Sequence, residues 1–168
     1  MEYRIEDDFD VSADHYWEVF FSEECGKPMW DALDIDHKML SFEREGEGES
    51  LVIRRKQQLT PRREVPALIA KFVKGAITYR EENVFVKAKN AMETVTISNI
   101  LPDKIVNTGV YRLEPLGPNK CRRIWDGVCK CKVPLVGGKV EKMLVQEVRE
   151  SYRRATDFIR QWHVDHPA

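Results

Sequence analysis

NKCRRIWDGVCKCKVPLVGGKVEKMLVQEVRESYRRATDFIRQWH, Asn119 to His163, is the stretch that decides the fold. It reads as one strand over Asn119–Val136, a sharp turn over Pro134–Gly138 and one helix over Gly137–His163. At 1.5 Å of rise per residue that helix is roughly 40 Å long, well beyond the usual length in globular proteins. Val140, Leu144, Val148, Tyr152, Ala155, Ile159 and Trp162 recur along it every three or four residues, and Met143 and Phe158 widen the stripe. The other side carries Glu141, Lys142, Glu147, Arg149, Glu150, Arg153, Arg154 and Arg160. One apolar face predicts a helix lying on a sheet. A coiled coil is disfavoured, because no other segment offers a matching heptad run.

The rest of the chain supplies the sheet. Glu2–Val11 alternates as a first strand. Ser12 stands at an N-cap position, with Asp14 in the first turn of a helix through Phe21, its Tyr16, Val19 and Phe20 at helical spacing. Gly26 and Pro28 interrupt, and a second short helical piece is predicted over Met29–Leu33. A meander follows. Lys38–Arg44 and Ser50–Leu59 read as strands joined through Gly46-Glu47-Gly48. Ala76–Lys89 reads as a long strand with a bulge or turn at Glu82-Asn83. Met92–Leu101 and Ile105–Leu113 flank a β-turn at Pro102-Asp103, and Leu116–Asn119 turns into the last strand. Short connections make successive strands antiparallel neighbours.

With 168 residues, 42% hydrophobic and 33% charged, the chain is expected to form one soluble globular domain over 1–168. Its acidic opening has no apolar h-region, and no apolar run approaches the ~18 residues of a membrane span. Four cysteines without a signal peptide predict reduced thiols and a cytoplasmic protein. Charge is uneven. Residues 1–50 hold 16 Asp/Glu against 4 Lys/Arg, and residues 51–168 hold 23 Lys/Arg against 12 Asp/Glu. Either the two parts neutralise each other in the fold, or a basic surface faces anionic membrane lipid or another acidic partner. Nucleic acid is not an expected partner: Arg54, Arg55, Lys56, Arg62 and Arg63 come without a recognition-module signature.

The layout of strand, two short helices, meander and long C-terminal helix resembles the helix-grip fold of the START-like superfamily (SRPBCC, Bet v 1-like). DVSADHYWEVFF, from Asp10, resembles that superfamily's opening. VPLVGGKVEKML, Val133–Leu144, is similar to the PLIGGKIE signature of an uncharacterised, mostly bacterial START-like family, and more distantly to sterol-binding START-like domains. The signature has a structural rationale: Pro134 ends the ladder, two glycines permit a tight turn, and Glu141 sits near a positive helix N-terminus. It contains no catalytic chemistry. The resemblance implies an α+β fold, a curved antiparallel sheet of six or seven strands wrapped around the long helix. It also implies a deep apolar cavity that binds lipids, sterols or polyketide-like molecules.

On that layout the candidate cavity-lining residues are Trp30, Phe72, Tyr79, Phe85, Tyr111, Trp125, Met143 and Tyr152. PRREVPALIAKFVKG, residues 61–75, breaks the strand rhythm with two prolines. Leu68, Ile69, Phe72 and Val73 mark one face of a short helix, collared by Arg62, Arg63, Lys71 and Lys74. This is the pattern of a lid or membrane-touching segment, and also of an ordinary helix on a sheet rim.

Catalytic signals are sparse. His163 and His166 have metal-like spacing but fall in a predicted frayed tail, and Asp34, Asp36 and His37 read more readily as a solvated turn than as a cation site. Cys121, Cys129 and Cys131 share strand parity with Trp125, which fits buried thiols better than a zinc site. No phosphate loop or hydrolase elbow is present. No metal or cofactor is expected, and binding without catalysis is the leading reading. The alternatives are a polyketide-cyclase-like or hydrolytic enzyme, for which Glu81, Arg112 and Arg123 are the strand-borne candidates, and a protein-interaction module.

Overall fold

A computed structural model describes residues 1–167. The elements run β1 (Glu2–Phe9), α1 (Ala13–Phe20), α2 (Glu23–Ala32), β2 (Ile35–Glu45), β3 (Val52–Pro61), α3 (Ala67–Ala70), β4 (Tyr79–Val86), β5 (Ala91–Ser98), β6 (Ile105–Gly117), β7 (Lys120–Cys131) and α4 (Gly137–Asp165). The strands form one antiparallel sheet in the order β1-β7-β6-β5-β4-β3-β2. This is the helix-grip architecture expected from the sequence. β2 to β7 follow the chain; short connections join all of these neighbours except β3 and β4, which are linked through α3. Only β1 pairs at a distance, joining β7 with Asp7 opposite Arg123.

Several local expectations shift. α2 is one helix through Gly26 and Pro28 rather than a piece starting at Met29. Ser22 caps its start by accepting the Cys25 N–H at 3.3 Å, as Ser12 caps α1 from His15 at 3.2 Å. Packing on α4 and β2 supports the helix against the one backbone bond that Pro28 removes. β4 runs unbroken through Glu82-Asn83. Its turn comes at Lys87–Asn90, where Asn90 adopts φ 51°, a left-handed conformation that asparagine tolerates. β7 stops at Cys131, and α4 extends to Asp165.

The signature turn has a concrete job. Leu135 takes φ 68° and is fully exposed. Gly137 passes so close to β7 that a Cβ there would lie 2.4 Å from the Cys131 carbonyl oxygen. Glu141 reaches back and accepts the Cys131 N–H at 2.9 Å. That hydrogen bond, followed by the Met1 amino group at 3.0 Å, holds its carboxyl below the usual range. Strand end and helix start are thus clamped together, which fixes where α4 crosses the sheet.

α4 packs on β7, β1 and α2, at one flank of the sheet. The main core lies there: Phe9, Tyr16, Trp17, Tyr111, Cys121, Trp125, Cys129, Val145 and Ile159 are buried together. A smaller cluster joins α3 to the start of α4 through Ile69, Ile105, Cys131 and Val140. The inner face of β2–β5 receives less of the helix.

The acidic and basic parts of the sequence largely answer each other. Arg62 meets Asp31, Asp34 and Asp36, Lys87 meets Asp14, and Arg122 meets Asp8. Among the described residues no helix is long and apolar enough to cross a membrane.

Candidate functional site

Between the sheet and α4 lies a cavity of about 940 Å³, at the upper end of small-molecule pockets. Its depth follows from the placement of α4. The helix fills the β1/β7 flank and leaves the inward side chains of β2–β5 facing open space. Exposed lining residues on α2, β2 and the segment 61–66, among them Lys27, Met39, Phe42, Arg62 and Arg63, form the rim. Leu40 bulges out of β2 between Met39 and Ser41, which brings Met39 and Phe42 to the same side.

The floor follows from strand alternation. Side chains two apart share a face, so Ile53, Arg55, Gln57 and Leu59 of β3 point inward while Arg54, Lys56 and Gln58 point out. β4 turns Tyr79, Glu81, Asn83 and Phe85 inward, of which Tyr79 and Glu81 border the cavity, and β5 presents Met92, Thr94, Thr96 and Ser98. Antiparallel register aligns these into rows. Gln57 stands opposite Glu81, Glu81 opposite Thr96 and Thr96 opposite Asn107; Arg55 stands opposite Asn83, and Asn83 opposite Thr94. Two polar rows therefore cross a floor whose walls are Phe20, Trp30, Tyr111, Trp125, Met143 and Tyr152.

The rows are hydrogen-bonded into one network. Glu81 accepts from Gln57 Nε2 at 2.8 Å, Asn83 Nδ2 at 3.2 Å and Thr96 Oγ1 at 3.5 Å. Gln57 Oε1 lies 2.9 Å from His37 Nε2. Burial lowers the His37 pKa, so at neutral pH the ring is uncharged and donates to Gln57; its other face stacks on Trp30 at 5.2 Å. Asn83 Oδ1 accepts from Arg55 Nε at 2.6 Å, and Asn83 Nδ2 donates to Thr94 at 2.9 Å.

Arg123 lies at the other end of the cavity, 1% exposed. It donates to Asp7 and to Thr156 of α4 and lies against the rings of Tyr152 and Phe9. Tyr16 and Tyr111 share a hydrogen bond beside it. Burial pushes Tyr111 and Tyr152 well above 10 and Tyr79 to about 12. These phenols stay protonated at neutral pH.

Six of the eight predicted lining residues border the cavity: Trp30, Tyr79, Tyr111, Trp125, Met143 and Tyr152. Phe85 and Phe72 do not. Phe85 is 1% exposed and packs on Trp17 and Phe21, and Phe72 joins the cluster beneath α3. Of the predicted lid, Arg62, Arg63 and Ile69 border the cavity, while Leu68, Lys71 and Lys74 do not. Ile69 is buried and Leu68 partly so, which places the apolar side of this segment on the protein. Arg63 donates to Glu147 and lies 3.5 Å from Ser151, fastening the segment to α4.

Glu81 and Arg123 face the cavity, whereas Arg112 points away and pairs with Asp126 at 3.3 Å. Arg55 and Gln57 are absent from the sequence-predicted set. The triplet Arg54-Arg55-Lys56 reads as a surface patch until parity with Ile53 and Leu59 is applied.

All four thiols are buried, and burial raises Cys25, Cys121 and Cys129 to about 11, which keeps those three protonated at neutral pH. Among the described residues no three His, Cys, Asp or Glu side chains converge as a metal site requires. Asp34 and Asp36 are engaged by Arg62, and His37 by Gln57. His163 is half-buried against His15 on a helix that continues past it, not frayed as expected.

The family described as "Protein of unknown function (DUF2505)" matches residues 4–162. The chain belongs to that family. No curated protein matches it. Solved structures share the fold over nearly the full length. A protein of Thermus thermophilus is similar with TM-score 0.67 and 13% identity, covering 100% of both chains. A START superfamily protein from Mycobacterium smegmatis aligns with TM-score 0.60 and 14% identity, over 95% of this chain and 94% of that one. The Zhui aromatase/cyclase of Streptomyces sp. R1128 gives 0.58 and 12%, over 96% and 92%. The fold is therefore that of the START superfamily.

Proposed function

We propose that this protein binds a hydrophobic small molecule, of lipid, sterol or polyketide size, between its sheet and α4, and carries it without changing it. The observation that carries this reading is the cavity of about 940 Å³, walled by aromatic rings and opening beside α2 and β2. Mostly apolar walls with a few placed polar groups suit such a ligand. The segment 62–74 acts as the lid, hinged at Gly75, which has φ 96°, and latched by Arg63 on Glu147. Four buried, unpaired cysteines fit a reducing compartment. Contact with an anionic membrane during loading falls to Lys71 and Lys74, the two basic lid residues without an ion pair among the described residues.

Solvent extraction of natively purified protein, followed by mass spectrometry, tests this together with titration of the fluorophore N-phenylnaphthylamine. A stoichiometric extracted ligand or saturable micromolar fluorophore binding is expected. Failure of both overturns the reading. Flotation with anionic phosphatidylglycerol vesicles, for the native chain and a Lys71→Ala/Lys74→Ala variant, tests the membrane step, which is discarded if neither floats.

A second reading, an enzyme of the cyclase kind, is favoured by one observation: Glu81 presents a carboxylate to the cavity within a hydrogen-bonded network. A positioned carboxylate is a general-base candidate. Conversion of bound ligand by native protein but not by Glu81→Gln would establish it, and an unchanged ligand in both would remove it.

A further inference from the structure

Arg55 is 8% exposed and borders the cavity. It forms no ion pair among the described residues, and Nε, which donates to Asn83, is its one hydrogen-bonded nitrogen there. Four guanidinium N–H donors on the two Nη atoms have no protein acceptor. Of the other cations bordering the cavity, Arg123 is engaged by Asp7, Arg62 by three aspartates and Arg63 by Glu147, while Lys27 stands exposed to solvent on the rim. The rings of Phe20 and Phe21 lie 4.8 and 5.3 Å from the Arg55 guanidinium and fix its plane.

We infer that Arg55 is the anchor for an anionic oxygen group on the cavity's ligand, a carboxylate or similar monoanion at one end of an apolar body. The inference rests on the binding reading above and adds the ligand's chemical class. A buried cation left without acceptors is costly. In the empty cavity water can solvate it. An entirely apolar occupant would displace that water and strand four donors, whereas a carboxylate accepts two of them side by side in the geometry a guanidinium presents. Charge favours a monoanion over a dianion. Glu81 makes no direct ion pair with Arg55 among the described residues; Asn83 bridges them, accepting from Arg55 and donating to Glu81, and the Glu81 charge favours the guanidinium through space. One ligand charge balances Arg55, and a second would be repelled by Glu81. Burial lowers the Arg55 pKa from its ordinary value, as desolvation of an incompletely paired cation should.

The test compares two fluorophores of one skeleton, anilinonaphthalene sulfonate, which is anionic, and N-phenylnaphthylamine, which is not. Each is titrated into the native chain and Arg55→Gln. The variant is expected to weaken the sulfonate about tenfold or more, the scale of a lost hydrogen bond to a charged group, and the neutral probe less than about twofold. Equal effects on both, or none on either, overturn the inference while leaving cavity binding intact. No binding of either probe to the native chain overturns both. Should Arg55→Gln fail to fold, displacement of N-phenylnaphthylamine from native protein by laurate and by dodecanol decides: laurate is expected to compete about tenfold better or more, and parity refutes the anchor.

Discussion

Gly109 and Gly127 face each other across β6 and β7, and the indole of Trp125 lies over the hollow they leave. A Cβ on Gly127 would stand 2.4 Å from Trp125 Nε1, and one on Gly109 would stand 2.6 Å from its ring and 2.6 Å from the Asp126 carbonyl oxygen. The glycines let a large ring lie low against the sheet, which keeps the cavity open above it.

Replacing Gly127 by Ala should therefore lift the indole and overpack the core. A loss of about 2 kcal/mol is expected, read from urea unfolding, with a shifted tryptophan emission. A change below about 0.5 kcal/mol would mean the ring relaxes freely.

Arg123 and Asp7 also stand opposite each other, on β7 and β1. Asp7→Asn leaves Arg123 buried with no counter-charge and should cost on the order of 3 kcal/mol, whereas Arg123→Met removes the charge itself and should cost less. Equal losses from both would show that packing rather than charge dominates.

Acidification should destabilise the protein before its carboxylates titrate. Burial, then His15, lowers the His163 pKa, and both ring nitrogens are buried without partners; burial also lowers His37. A depressed histidine gives its full contribution above its unfolded value of ~6.5, and the contribution is lost as pH falls toward the folded value. Thermal midpoints should drop between about pH 7 and about pH 5.5, and less steeply for His163→Phe. Asp8, lowered by Arg122, and Glu150, lowered by Arg153, act in the same direction in more acidic solution, below their unfolded values near ~4. An identical slope in His163→Phe would count against the histidine.

The Arg63–Glu147 contact is solvent-exposed, so Arg63→Ala should change stability by less than ~1 kcal/mol. If it latches the lid, release of N-phenylnaphthylamine should accelerate several-fold in stopped-flow measurements. An unchanged release rate would assign lid motion elsewhere.

Legibility from sequence tracked how local each signal is. The seam of α4, the Ser12 cap and the meander rest on spacing within one segment, and they were readable. The Lys87–Asn90 turn was missed because Asn90 is a less obvious left-handed residue than glycine. Phe85 and Phe72 looked identical to the lining aromatics, since an aromatic ring in a strand or helix packs equally well on core or cavity. Arg55 was within reach: Ile53 and Leu59 fix its parity.

The sequence by itself determined an antiparallel sheet closed by one long helix, with Gly137 and Glu141 marking where the helix begins, because these depend on periodicity and backbone freedom along the chain. Tertiary structure alone decided that β1 seals against β7 and that α4 lies over that flank. It also decided that Arg55, inward on β3, meets one acceptor from Asn83 and otherwise faces open space. A cavity is the difference between what the sheet encloses and what the side chains fill, and that difference exists only once distant segments have met.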